Sequence, residues 1–126
     1  MLARLLLLAA FLGLSAPLLA QTGHPAKGSW SGDLFVGDSD KSRVRLLIDA
    51  RNGELSGTVN PGRNAADMSS IELDAASWTM TIRAVQPDGE LVLTGTLSNL
   101  GSWNNRKYIG TWTKGAEKGT FDFTLN

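Results

Sequence analysis

From Ser29 onward the apolar residues recur at every second position in short runs separated by turn residues, which is the period of a strand whose successive side chains face opposite sides. Trp30, Gly32, Leu34 and Val36 alternate with Ser29, Ser31 and Asp33, and Gly37 to Asp40 reads as a turn. Val44, Leu46 and Ile48 alternate with Arg43, Arg45 and Asp49 as far as Asn52-Gly53, a pair that tolerates the positive φ angles a tight hairpin needs. Leu55, Gly57 and Val59 follow, and Asn60 to Asn64 has the composition of a loop. A shorter run holds Ile71 and Leu73. Beyond it Trp78, Met80 and Ile82 alternate with Thr79, Thr81 and Arg83, and Pro87-Asp88-Gly89 predicts a turn. Leu91, Leu93, Gly95 and Leu97 precede a polar stretch, Asn99 to Asn105, that carries Trp103. Tyr108, Gly110 and Trp112, a turn from Lys114 to Lys118, and Phe121, Phe123 and Leu125 complete eight strands, with no room for a helix of normal length.

Eight short strands joined by hairpins predict an all-β fold, an eight-stranded antiparallel up-and-down β-barrel whose closure removes exposed sheet edges. A two-sheet β-sandwich fits the same pattern. Glycines recur inside the strands at Gly57, Gly95, Gly110 and Gly119, where a small closed sheet needs sharp bends. The inward positions, from Trp30 to Leu125, are mostly large, so the interior is expected to be filled by side chains. In a meander the loops alternate ends. The turns near Asp38, Arg63, Asp88 and Glu117 should share one rim, and Asn52-Gly53, the Trp103 loop and the N-terminal arm the other.

Residues 1–20 have a different character. Arg4 is their one charge, Leu5 to Leu12 is a continuous apolar run, and small residues with Pro17 lead to Ala20, which is the layout of a secretory signal peptide. The uncharged stretch is too short to span a bilayer, so no membrane span is expected after cleavage and the product should be exported to the periplasm or the medium. Residues 21–28 form an N-terminal arm, and 29–126 a single β-barrel domain.

Composition narrows the chemistry. The 126 residues contain twelve basic and twelve acidic side chains, no cysteine and one histidine. Without a basic excess, nucleic acid is not an expected partner. Without cysteine there is no disulfide framework or thiolate nucleophile. His24 precedes the first strand, so a Ser-His-Asp triad would have to be built on the arm. Asp33, Asp38 and Asp40 lack the further oxygen ligands of a calcium loop and read as turn residues. No enzymatic activity, cofactor or metal is therefore expected.

Gly28-Ser29-Trp30-Ser31-Gly32 resembles the glycine-x-tryptophan start shared by lipocalins and the avidin and streptavidin family. Leu47 to Val59 is similar to the avidin family's second hairpin, and Ser77-Trp78-Thr79-Met80 to a later strand. The resemblance implies a small up-and-down barrel. It does not carry biotin: the positions matching the family's ureido-binding Asn and Ser are Gly32 and Val36, and its stacking tryptophan falls at Ile82. Nitrobindin-like haem barrels share the start, but their late proximal histidine has no counterpart here.

The expected function is that of a non-enzymatic binding module that uses its loops to take a small molecule, glycan or peptide. Trp103, with Asn99 and Asn104, combines an aromatic platform with amide donors, and Arg63 with Asn64 forms a second recognition loop. An alternative is a lipocalin-like or avidin-like carrier of a small hydrophobic ligand, with Trp78, Tyr108 and Trp112 lining one end. A second alternative is a protease inhibitor acting through the arm from Gln21 to Lys27, since the layout resembles that of small bacterial metalloprotease inhibitors.

Overall fold

The alternating runs become eight strands: β1 (Gly28–Val36), β2 (Asp40–Arg51), β3 (Glu54–Val59), β4 (Ala66–Asp74), β5 (Thr79–Gln86), β6 (Gly89–Ser98), β7 (Lys107–Lys114) and β8 (Glu117–Leu125). The computed structural model describes residues 24–37, 40–62, 65–102 and 105–126. The expected signal peptide, the start of the arm, Asp38, Arg63, Asn64, Trp103 and Asn104 lie outside the described residues.

Each strand pairs antiparallel with the next, and β1 returns to pair with β8, placing Trp30 opposite Leu125 and Leu34 opposite Phe121. That last ladder closes the sheet into a barrel and excludes the sandwich. Asn52 and Gly53 both take positive φ, 54° and 81°, the conformation the β2–β3 hairpin requires.

The interior is filled. Trp30, Tyr108, Phe121 and Phe123 are fully or almost fully buried, with Tyr108 and Phe121 ring centroids 4.7 Å apart and Trp30 edge-on to Tyr108 at 6.3 Å. Space for this cluster comes partly from Gly95, where a Cβ would lie 2.7 Å from Cζ of Phe121. The Tyr108 hydroxyl donates to the carbonyl of Met80 at 2.7 Å and lies 3.3 Å from that of Leu93.

Chain direction gives the barrel two unlike ends. The end where the described chain enters β1 and leaves β8 is capped by residues 24–27. Lys27 N–H donates to the His24 carbonyl, Ala26 N–H to His24 Nδ1, and Ala26 itself is buried. Trp30 Nε1–H reaches the Ala26 carbonyl at 2.9 Å. Arg106, 4% exposed, donates from Nη1 to the Pro25 carbonyl at 3.0 Å and from Nη2 to the Leu100 carbonyl at 2.7 Å. β1, β3, β5 and β7 run toward the other end.

Closure is uneven around the wall. β3 meets β4 at two positions, Thr58 opposite Asp67 and Val59 opposite Ala66, whereas β4 pairs with β5 from Met68 to Asp74. A bulge between Met68 and Ser70 bends β4, and the two strands part below it. Alternation marks this strand only from Ile71, because the bulge breaks the period and Ala66 is too small to mark a core position. Leu55, Ile71 and Leu73, expected to be buried, are only half-buried. Val36, also expected inside, is 39% exposed where β1 reaches the open end.

Candidate functional site

The uncapped end opens into a cavity of about 200 Å³. Its apolar floor is Leu34, Val44, Val59, Leu91 and Trp112, the last buried residues of five strands before the rim, with the exposed Val36 at its lip. Ser42, Arg43, Asn60, Gln86, Lys114 and Glu117 supply the polar part of its lining. Strand period explains the layering: side chains one step nearer the rim turn away from the core, and those two steps nearer meet water.

Trp112 is the largest floor residue. It is 4% exposed, and its Nε1–H donates to the Phe35 carbonyl at 3.0 Å. The approach depends on Gly119, directly across the ladder: a Cβ there would collide with the Phe35 carbonyl oxygen and lie 2.8 Å from Trp112 Nε1. The indole is therefore held in place by the barrel's own backbone.

The rim carries charge of both signs. Lys114 Nζ pairs with Asp88 at 2.8 Å and reaches Gln86 Oε1 at 3.4 Å. The Lys114 hydrogen bond holds the Asp88 carboxyl below its ordinary pKa. Arg43 is exposed and makes a longer 3.8 Å pair with Asp33, outside the mouth. Asn60, in the left-handed region at φ 50°, extends the β2–β3 ladder by one step. Its N–H donates to the Arg45 carbonyl at 2.7 Å, and its Oδ1 accepts from Arg45 N–H at 3.1 Å. These groups offer donors and acceptors around an apolar well.

The predicted site residues separate. Trp78, Tyr108 and Trp112 do not line one end together. Tyr108 and Trp112 stand four residues apart on β7, about 13 Å at strand rise, at different levels of the barrel. Tyr108 is fully buried with its hydroxyl committed to backbone carbonyls, so it belongs to the core. Trp78 is half-buried just before β5, at the capped end, with φ 56° and its carbonyl accepting Leu97 N–H. Asn99 is also at the capped end, where its Nδ2 donates to the Asn105 carbonyl at 2.9 Å and braces the chain between β6 and β7. Trp103, Asn104, Arg63 and Asn64 lie outside the described residues.

No family model, curated protein or solved structure matches this chain. The likeness to avidins and lipocalins thus stands at the level of the closed eight-stranded barrel.

Sequence reasoning missed the mouth because its parts are dispersed over seven strands, and missed Arg106 because a charged residue after a polar loop reads as surface. The available signal was the alternation itself. Among the described aromatic residues, Trp112 is the inward one nearest the open end.

Proposed function

We propose that this chain is an exported, non-enzymatic binding module that takes the apolar end of a small molecule, or one side chain of a peptide, into the mouth floored by Trp112. The carrying observation is the cavity's size and chemistry. At about 200 Å³ it exceeds the roughly 150 Å³ that houses benzene and falls below the roughly 300 Å³ at which drug-sized sites begin. One ring or a branched alkyl group fits, with a polar head left among Arg43, Asn60 and Lys114. The volume disfavours a carrier of long lipophiles. Packing of His24 to Lys27 against the barrel disfavours an inhibitor that presents this part of the arm. Export rests on the leader-like character of residues 1–20.

Titration of ¹⁵N-labelled protein with phenylacetate, isobutyrate and indole tests the reading. Saturable shifts of the Trp112 indole N–H and of the Val44 and Leu91 amides are expected, and they should be abolished in Val59→Phe, which fills the well. Absence of saturable shifts, or shifts confined to the capped end, would refute it.

A further inference from the structure

The parting of β3 from β4 leaves an unusual stretch of wall. On the other six strands the large inward apolar residues are buried, apart from Val36 at the mouth. Around the parting, Leu55, Met68, Ile71 and Leu73 are all half-buried, although each packs against the core. The Met68 thioether lies against Gly57, where a Cβ would approach its sulfur to 2.8 Å, and so wedges the top of the gap. Below the wedge, Glu54 to Gly57 of β3 and Ser69 to Asp74 of β4 have a strand neighbour on one side only. Alternate residues of each stretch therefore aim backbone N–H and C=O groups into the gap.

The charges here are one-sided. β3 and β4 carry four carboxylates, Glu54, Asp67, Glu72 and Asp74, and no basic residue. All four are exposed, and none is in an ion pair among the described residues. The nearest cations on the flanking strands are engaged, Arg51 with Asp49 and Arg83 with Glu90.

We propose that this seam binds an extended cationic peptide segment by strand addition to the free edge of β4. Backbone pairing would satisfy the open edge, apolar residues at alternate positions would cover Leu55, Ile71 and Leu73, and Lys or Arg between them would face Glu54, Glu72 and Asp74. A second copy of this chain is the poorer occupant, because two-fold antiparallel pairing of β4 with itself would set these carboxylates against their own equivalents. This site is distinct from the mouth and does not depend on it.

The test uses the full protein and a fluorescein-labelled peptide of about seven residues, Lys-Ile-Lys-Val-Lys-Leu-Lys, long enough to follow the open edge. Saturable anisotropy is expected, with new hydrogen-exchange protection confined to amides in Glu54–Gly57 and Ser69–Asp74. Methylation of the peptide's pairing amides should weaken binding by about tenfold or more. Glu72→Lys and Asp74→Lys, both on the outer face, should each weaken it by about threefold, and the double variant should gain affinity for the Glu-substituted peptide. Equal binding of the methylated peptide, protection at the mouth instead of the seam, or no binding at all would overturn the proposal. A dimer protected at the same amides without peptide would also overturn it by assigning the seam to a second copy.

Discussion

The indole N–H of Trp30 donates to the carbonyl of Ala26, so the largest fully buried side chain of the core also fastens the arm across the end of the barrel. Packing and capping are thereby one interaction. Trp30→Phe retains part of the ring but loses the donor and leaves a void. It should lower the unfolding free energy by about 2–3 kcal/mol in urea titrations and accelerate hydrogen exchange at the Lys27 amide.

Arg106 should be the most sensitive charged residue among those described. Its guanidinium forks to two carbonyls from segments far apart in sequence, Pro25 and Leu100, in a setting almost without solvent. Arg106→Met is expected to cost about 3 kcal/mol, since charge-assisted bonds are lost and buried acceptors are left behind. Arg106→Lys should recover less than half of that, because an ammonium cannot reproduce the planar fork. A Lys variant as stable as the parent in denaturant titration would contradict the geometry.

Acid should loosen the cap. Partial burial lowers the pKa of His24 from its ordinary 6.5, and the neutral ring accepts the Ala26 N–H at Nδ1. The folded state therefore binds the proton less readily than the unfolded chain. The contribution is present in full above about 6.5 and is lost as pH falls through the folded-state value. Amide exchange at Ala26, followed from pH 7.5 to 5 after correction for intrinsic rates, should show protection falling with pH, and His24→Gln should flatten the profile.

Tyr108 should behave in the opposite sense. Burial pushes its hydroxyl far above the ordinary value of 10, so stability is full below that pH and declines as pH rises past it. Tyr108 is the chain's one tyrosine, which makes the measurement unambiguous. Tyrosinate absorbance should stay absent through the ordinary range and appear with alkaline unfolding. Tyr108→Phe, which removes the donor to Met80, should cost about 1 kcal/mol in denaturant titration.

At the mouth, Gly119→Ala should be more damaging than its single methyl suggests. The added carbon would displace the Phe35 carbonyl or the Trp112 indole, with a cost of about 1–3 kcal/mol and a shift of the Trp112 indole N–H resonance. An unshifted resonance with parental stability would contradict the close approach.

Much of this architecture is legible in the alternation of side chains. Leu34 against Asp33, Met80 against Thr79 and Phe123 against Asp122 each announce which face of the strand turns inward, and Asn52-Gly53 fixes one hairpin. What escapes the pattern has physical causes. Ala26, Ala66 and Ala84 are core residues too small to register as hydrophobic positions. A bulge at Met68 to Ser70 shifts the period by one, which hides the front of β4. Above all, alternation gives the face but not the height: Tyr108 and Trp112 share an inward face and yet sit at different levels, one filling the core and the other flooring the mouth. Burial of Arg106 is a tertiary fact, set by carbonyls that converge only once the barrel has closed.

The closing ladder runs Trp30 beside Leu125, so the described chain enters and leaves the barrel at the same pole. A protein immobilised through its C-terminal Asn126 would stand like a cup on its base, with the Trp112 well facing away from the attachment. For a surface-capture experiment, anchoring through the C-terminus should leave the measured affinity for small ligands as it is in solution.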